Sequence, residues 1–168
     1  EIKKNCWNTS LLQAKLNFDS LDFTFLFRSK ECVNSKKNED NQFNVTQSGG
    51  RIFQQDNSNL LFTIGDYRAR KFAQKDNSVL GKIIQIDHTN GKYKIISKGH
   101  RNQQGLFILP NKNFAISTEH GPHGGDEINL INLNSDQKIQ NFGWPVSSYG
   151  KHYSSTLKAD KDSYKKYP

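Results

Sequence analysis

The chain has 168 residues, a net charge of +8, a hydrophobic fraction of 33% and an aromatic fraction of 11%. This length fits one domain, and the aromatic content argues against a disordered chain. The positive charge comes mostly from lysines spread along the sequence, and no apolar run approaches the roughly 18 residues of a membrane-spanning helix. Nucleic-acid binding and a membrane span are therefore disfavoured. We expect a single domain over residues 1–168 and, because the chain begins at Glu1 and contains no Met, further residues upstream of it.

The N-terminal part predicts two short strands and a long loop. Residues 10–16 and 21–27 are predicted to be strands, and the alternation of Phe23, Phe25 and Phe27 is typical of a half-buried strand. Residues 29–44 are too polar to bury a face and are predicted to form a loop. The two cysteines, Cys6 and Cys32, flank the predicted strands. A disulfide between them fits an exported protein, and two free buried thiols are the alternative.

From residue 51 onward the sequence predicts more short strands and little helix. Turn segments such as Asn90-Gly91 join runs of β-branched or aromatic residues, which favours antiparallel hairpins. Such a series of strands indicates a sandwich, a barrel or a propeller, and the periodicity does not choose among them. The predicted strands are residues 51–55, 60–64, 81–87, 93–97, 106–109, 114–118 and 127–133.

Residues 118–131, TEHGPHGGDEINLI, concentrate glycine, histidine and carboxylate residues between two strands. The Gly121-Pro122 step predicts an irregular backbone whose carbonyl oxygens suit a hard cation such as Ca²⁺. The carboxylates of the stretch, Asp126 among them, are either cation ligands or acceptors for N–H groups of the loop itself. The two histidines allow a transition-metal site, but a third ligand of clear spacing is missing.

Residues 99–110, GHRNQQGLFILP, place a polar cluster at the end of a predicted strand. Arg101 offers a fork of donors and Asn102 offers a donor and an acceptor, which together suit an anionic ligand that bears carbonyl groups. A plain surface loop is the alternative. Farther along, residues 140–150 predict an aromatic turn in which Trp144 packs against a neighbouring element.

Six segments in this order resemble the glucose/sorbosone dehydrogenase family, the soluble quinoprotein sugar dehydrogenases. They are SGGRIF, LLFTIGDY, LGKIIQID, GHRNQQGL, TEHGPHGGDEINLI and NFGWPVSSYG, and the resemblance covers about residues 46–153. It implies an all-β fold, a six-bladed β-propeller of four-stranded antiparallel sheets, of which this chain supplies about two to three blades. A partial propeller of this kind is expected to pair either with the rest of its own propeller or with a second copy of the chain.

The resemblance also implies a function and the residues that carry it. The protein would transfer a hydride from C1 of an aldose sugar to pyrroloquinoline quinone (PQQ), with help from Ca²⁺. The backbone carbonyls of Gly121 and Pro122 would bind the Ca²⁺. The side chains implied at the quinone are Arg101, which we also expect to take part in catalysis, Asn102, His120 and Asp126.

The family's catalytic base is a histidine that lies just before the glycine and arginine of the SGGR-like segment. This sequence has Thr46 and Gln47 in that region, and neither side chain is a useful general base at neutral pH. The alternative function is therefore a catalytically inactive propeller that binds a carbohydrate or a protein. For either function we expect a periplasmic or secreted location.

Overall fold

The structure is a computed structural model that describes residues 5–38, 42–134 and 138–151. Residues 39–41 of the predicted loop and residues 152–153 of the resembling stretch lie outside these ranges. The described residues form twelve strands and one short 3-10 helix, Arg70–Gln74. The strands are β1 Cys6–Trp7, β2 Ser10–Gln13, β3 Thr24–Arg28, β4 Val33–Asn34, β5 Gly49–Gln54, β6 Asn59–Ile64, β7 Lys82–Asp87, β8 Tyr93–Lys98, β9 Gln103–Ile108, β10 Phe114–Glu119, β11 Glu127–Asn132 and β12 Gln140–Asn141.

The larger sheet consists of β5 to β8 as an antiparallel meander, extended by the two residues of β12 parallel to β8. Its central strands, β6 and β7, carry the apolar runs LLFTI and KIIQI and are buried on both faces. Leu61 and Ile83 point to one core, whereas Phe62 and Ile84 point to the other. A strand that is covered on both sides reads as a continuous hydrophobic run, which explains why these two segments do not alternate.

The smaller sheet has the order β11-β10-β9 and packs on the larger one. Ala115 and Ile131 lie on its inner face, in the core that contains Leu61 and Ile83. On the outer face Ile128 is 79% exposed and Leu130 is 55% exposed. The alternation along β11 therefore separates a buried face from an apolar face that the described residues leave open.

The N-terminal hairpin β2–β3 and the pair β1–β4 lie against the other face of the larger sheet. Phe27 is buried there, with its ring centroid 6.2 Å from that of Phe62. Phe23 and Phe25 are exposed, so the prediction that they share the half-buried face of Phe27 is wrong. Phe23 precedes the strand, and a register shift in β2 pairs Leu11 with Phe27 but Leu12 with Phe25.

Cys6 and Cys32 form a disulfide, which is the first of the two states that the sequence leaves open. It joins β1 to the stretch just before β4, and β4 lies inside the segment 29–44 that was predicted to be a loop. A strand of two residues is too short to show an alternation, so β4 has little signal in the sequence.

The nearly all-β arrangement, antiparallel except for β12, agrees with the expected partial propeller. Most strand boundaries differ from the predicted ones by one to three residues. The largest extension is in β9, which begins at Gln103 rather than Leu106 because Gln103 pairs with Glu119 of β10. None of the helical segments within residues 5–38, 42–134 and 138–151 has the length and apolar character that crossing a bilayer requires.

Candidate functional site

Three strand ends meet at one edge of the two sheets. Because the strands form meanders, the C-terminal ends of β6, β8 and β10 lie at the same edge, and each is followed by a polar loop. The backbone N–H of Asp66, after β6, donates to the carbonyl of Arg101, after β8, at 3.0 Å. The N–H of His120, after β10, donates to the carbonyl of Asn102, also at 3.0 Å. These two bonds join residues far apart in the chain into one site.

Arg101 lies at the centre of this site and is buried. Its Nη1 donates to the carbonyl oxygen of His120 at 2.8 Å. Its guanidinium carbon stands 5.4 Å from the centroid of the Trp144 ring, within the range of a cation–π contact. The orientation of the Gln47 amide that satisfies its neighbours places the amide oxygen 2.9 Å from Arg101 Nη2. Three different groups thus hold one guanidinium.

Asp66 lies behind Arg101 and is fully buried. Its carboxylate accepts the backbone N–H of Arg68 at 2.8 Å, the indole N–H of Trp144 at 2.7 Å and the amide N–H of Gln47 at 3.1 Å. Burial raises the pKa of Asp66 to about 6, although these hydrogen bonds and the charges of Arg101 and Arg70 act in the opposite direction.

The structure distinguishes Thr46 from Gln47, the two residues that the resemblance implies in the region of the base. Thr46 is exposed, and its hydroxyl donates to Asn44 Oδ1 at 2.6 Å. Gln47 is buried and contacts both Asp66 and Arg101. Its backbone carbonyl lies where a side chain on Gly65 would have to go, since an ideal Cβ there would be 2.2 Å from that oxygen. Gln47 is therefore the residue that faces the site.

Asn102 connects the site to the start of β5. Its side-chain oxygen accepts the backbone N–H of Gly49 at 3.2 Å and the amide N–H of Gln104 at 2.9 Å. Gly49 has a φ of 65°, and a Cβ would come within 2.8 Å of the Gly65 nitrogen. The close approach of these two backbones explains why the segment before β5 needs glycine.

The loop between β10 and β11 is held mainly by its own hydrogen bonds. Gly121 N donates to Asp126 Oδ1 at 3.0 Å, and Gly125 N donates to the carbonyl of Pro122 at 2.8 Å. A side chain on Gly121 would collide with Gly125, because an ideal Cβ would lie 1.6 Å from its carbonyl oxygen. Asp126 thus closes the loop, and His120 Nδ1 lies 3.8 Å from its other carboxylate oxygen at the surface.

Within the part of the chain that the structure describes, no three His, Cys, Asp or Glu side chains are grouped so that they could hold a metal ion. The expected Ca²⁺ ligands are backbone carbonyls, to which this observation does not apply. Gly121 and Pro122 are buried next to the exposed His120. Carbonyl oxygens in such an irregular loop are the donors that a hard cation prefers.

A second buried layer supports the backbone of Arg101. The Arg101 N–H donates to Glu119 Oε2 at 3.2 Å, the same oxygen lies 3.3 Å from His100 Nδ1, and His100 Nε2 is 2.8 Å from Ser97 Oγ. This Ser–His–Glu order resembles a hydrolytic triad. Ser97 and His100 have no exposed surface, however, so a substrate cannot reach them. We assign these residues to the support of Arg101.

Glu127 lies next to that layer at the start of β11. Asn129 Nδ2 donates to both Glu119 and Glu127, at 3.2 Å in each case. Burial, together with the nearby negative charge of Glu119, raises the pKa of Glu127 to about 7. β11 thus begins with a carboxyl group whose pKa is raised towards neutral pH.

Of the residues named from the sequence, Arg101, Asn102 and His120 are in direct hydrogen-bond contact, and Gly121, Pro122 and Asp126 follow in the same loop. The sequence analysis missed Asp66 and assigned Trp144 to packing alone. A carboxylate directly after the apolar run of β6 is a signal for Asp66. Nothing in the local sequence links Trp144 to Asp66, which lies 78 residues away.

Comparison with known proteins identifies the family. Residues 3–167 match the family described as Glucose / Sorbosone dehydrogenase. The chain is 33% identical over 119 residues to the aldose sugar dehydrogenase YliI of Escherichia coli K12, and the match covers 63% of this chain and 31% of that protein.

Two solved structures are similar as well. The apo-form of the soluble aldose sugar dehydrogenase of E. coli superposes with a TM-score of 0.69 and 29% identity, over 88% of this chain and 43% of that one. The PQQ-bound aldose sugar dehydrogenase of Streptomyces coelicolor gives a TM-score of 0.51 and 30% identity, over 60% of this chain and 30% of that one. The chain thus spans less than half the length of these relatives. Together, the family match and the shared fold establish that this chain belongs to the glucose/sorbosone dehydrogenase family.

Proposed function

We propose that the protein containing this chain is a PQQ-dependent aldose sugar dehydrogenase and that this chain supplies part of its quinone- and Ca²⁺-binding surface. The observation that carries the proposal is the convergence of Arg101, Asn102 and the loop 120–126 at one edge of the sheets, linked by hydrogen bonds. The similarity to aldose sugar dehydrogenases, one of them solved with PQQ, supports the same cofactor here.

The side chains present fit such a cofactor in charge and in donor type. PQQ is anionic and carries carbonyl oxygens, and a guanidinium next to a carboxamide is suited to both. Arg101 would bind and orient the anion, with Asn102 and His120 beside it. The carbonyls of Gly121 and Pro122 would hold Ca²⁺, and Asp126 would keep their loop closed. A quinone bound at this site would supply the hydride-accepting chemistry, and a bound Ca²⁺ would supply electrophilic assistance.

The proton of the sugar hydroxyl has to be accepted by another group. Gln47 cannot take that proton, because an amide does not titrate, and its oxygen already accepts from both Arg68 and Arg101. Asp66 is a carboxylate but is enclosed by Gln47, Trp144 and the backbone of Arg68. We therefore expect the native protein to bind and orient a sugar and to oxidise it slowly.

Reconstitution of the full-length protein tests the proposal. The protein is loaded with PQQ and Ca²⁺, and reduction of an electron-accepting dye is followed with a series of aldoses. We expect dye reduction that requires both PQQ and an aldose and that falls at least tenfold in Arg101→Ala, because the anion loses its guanidinium partner. Absence of PQQ-dependent reduction under saturating quinone would refute the enzymatic proposal.

A non-catalytic propeller that binds a carbohydrate or a protein is the second candidate, and the burial of Gln47 at the place of the base is the observation that favours it. The relatives identified above are enzymes, so this candidate ranks second. Quinone and aldose binding without any dye reduction would favour it over the first.

The location and the partners remain proposals that follow from the same features. The Cys6–Cys32 disulfide supports an oxidising compartment, such as the periplasm or the exterior of the cell. The open apolar face of β11 supports contact with the rest of a propeller or with a second copy. We also propose that residues 1–168 form one partial domain, because the cores on both sides of the larger sheet share β6 and β7.

A further inference from the structure

We infer that Trp144 is a positioning residue for quinone binding: its ring supports the guanidinium of Arg101, and its indole N–H fixes Asp66 behind it. The inference rests on the proposed function, because it assigns a role in quinone binding through Arg101. It goes beyond the packing role that the sequence predicts for Trp144.

Trp144 contacts Arg101 directly through its ring. The guanidinium carbon is 5.4 Å from the ring centroid, and both residues are buried. A planar guanidinium that lies over an aromatic ring keeps its edges available for hydrogen bonds in the plane. Arg101 uses that plane towards the His120 carbonyl and the Gln47 amide oxygen. The ring therefore restricts the direction in which the donors point.

Trp144 Nε1 also donates a hydrogen bond to Asp66 Oδ2, at 2.7 Å. Asp66 Oδ1 accepts from Gln47, whose oxygen in turn accepts from Arg101. Trp144 thus reaches Arg101 by two routes, directly through its ring and indirectly through Asp66 and Gln47. A buried carboxylate that lost one donor would be expected to rearrange its remaining partners.

The backbone of Trp144 is itself held by two hydrogen bonds. Its backbone N–H donates to the carbonyl of Gly99 at 3.0 Å, two residues before Arg101. Its own carbonyl accepts from Gln74 Nε2 at 2.6 Å. The turn that carries Trp144 is therefore tied to the same loop that carries Arg101, so the ring and the guanidinium are held in register.

The test uses the full-length protein with Trp144→Phe, which keeps a ring under the guanidinium but removes the indole donor, and Trp144→Leu, which removes both. Trp7→Phe is the matched control, because Trp7 is exposed and its ring contacts Phe43 instead, in a tilted arrangement with the centroids 5.7 Å apart. The dissociation constant of PQQ is measured by calorimetric titration in the presence of Ca²⁺. Each variant is also examined for its melting temperature and crystallised without quinone.

We expect the dissociation constant to rise about tenfold in Trp144→Phe and further in Trp144→Leu, with no change in Trp7→Phe. In an Arg101→Gln background Trp144→Phe should have no additional effect, because Trp144 acts through Arg101. If Trp144 had a merely structural role, its substitution would lower the melting temperature, and the effects of the Trp144 and Arg101 substitutions on PQQ affinity would be additive. An equal loss of affinity in both backgrounds overturns the inference.

The crystal structures separate this inference from the proposed function. If the native protein fails to bind PQQ, the proposed function is refuted. The position of the Arg101 guanidinium then still tests the positioning role. The guanidinium should lose its contact with the Gln47 oxygen in Trp144→Phe, and its contacts with both the Gln47 and His120 oxygens in Trp144→Leu. A guanidinium that keeps both contacts in either variant overturns the inference whatever the quinone does.

Discussion

The side chain of Gln47 lies between a buried carboxylate, Asp66, and two guanidinium groups, those of Arg68 and Arg101. An amide suits this position because one end donates and the other accepts, so it satisfies both charges without carrying a charge itself. The same property makes it unable to accept a proton at neutral pH. Gln47 therefore fits its surroundings well but leaves the site without a general base at this position.

Gln47→His should increase the rate of aldose oxidation by on the order of 100-fold in the PQQ- and Ca²⁺-loaded protein, because an imidazole next to Asp66 can act as a general base. The measurement is the kcat of dye reduction with a saturating aldose. Thr46→His is the matched control, since Thr46 is exposed and bonded to Asn44. A comparable gain in the control, or a native protein that already turns over at the rate of Gln47→His, would contradict the prediction.

Glu127 gives the stability of the protein a pH dependence of unusual sign. Its pKa is raised from 4.5 to about 7 in the folded state, so between these values the folded protein holds a proton that the unfolded chain has released. The free energy of unfolding should therefore fall as the pH rises from about 4.5 to 7. Glu127→Gln should flatten the profile between about pH 6 and 7 and make it shallower below pH 6, where the raised pKa of Asp66 also contributes, as measured by urea unfolding across the pH range.

Asp87→Asn is the control for that experiment. The hydroxyl and backbone N–H of Thr89 lower the pKa of Asp87 below 3.8, so its stabilising effect is lost only when the pH falls below that value. The Asp87 variant should keep the slope between pH 4.5 and 7. An unchanged slope between pH 6 and 7 in Glu127→Gln would contradict the prediction, because the contribution of Asp66 lies below that range.

At the scale of elements, Lys82 of the larger sheet forms hydrogen bonds with the short 3-10 helix Arg70–Gln74. Lys82, the first residue of β7, is buried and its Nζ donates to the carbonyls of Phe72, Ala73 and Leu80 at 2.8 to 2.9 Å. Burial lowers the pKa of Lys82 to about 7. Lysine side chains are rarely fully buried, and the three carbonyl acceptors explain why this one is.

Lys82→Met should reduce the free energy of unfolding by about 1–2 kcal/mol, because three buried carbonyls lose a donor. The loss is moderate, since the Phe72 and Ala73 carbonyls also accept the backbone N–H groups of Lys75 and Gly99. Lys98→Met is the control: Lys98 pairs with the exposed Asp76 at 2.6 Å, and such surface pairs contribute little. Equal effects of the two substitutions in urea unfolding would argue against the prediction.

The strands show which parts of an element can be predicted. Alternation or apolar runs located β5 to β11 within a few residues, because side-chain burial along a strand follows a local pattern. The ends of β9 and the short strands β1, β4 and β12 depend on pairing with distant residues, such as Gln103 with Glu119. Phe25 follows the same alternation as Phe27 and is nevertheless exposed, because its ring lies under the guanidinium of Arg28, 5.0 Å away, and outside the core cluster that contains Phe27.

At the scale of the whole molecule, the larger sheet covers only the inner face of the smaller sheet. The outer face of the smaller sheet carries Phe107 and Leu130, which are 48% and 55% exposed, beside the more exposed Ile128. The cross-strand register places Phe107, Ile116 and Leu130 in one row. An apolar row of this kind on a blade-like sheet is typical of a surface that another sheet covers.

Ile128→Lys combined with Leu130→Lys should lower the free energy of unfolding of the full-length protein by about 3 kcal/mol, because covering this face would bury two unpaired charges. Asn57→Lys combined with Asn77→Lys adds the same charge at exposed turns and should have little effect. Thermal and urea unfolding of the two double variants provide the comparison. Unchanged stability in the first variant would mean that the face stays in solvent.

The sequence by itself determined the strand content, the propeller family and the two loops that carry Arg101, Asn102, His120 and the Gly121-Pro122 step. These features depend on local periodicity or on short motifs, in which a few neighbouring residues suffice. The tertiary structure alone decided that Gln47 rather than Thr46 faces the site and that Asp66 and Trp144 stand behind Arg101. Those contacts join residues from separate loops, so their distances exist only after the strand ends of both sheets have been brought to one edge.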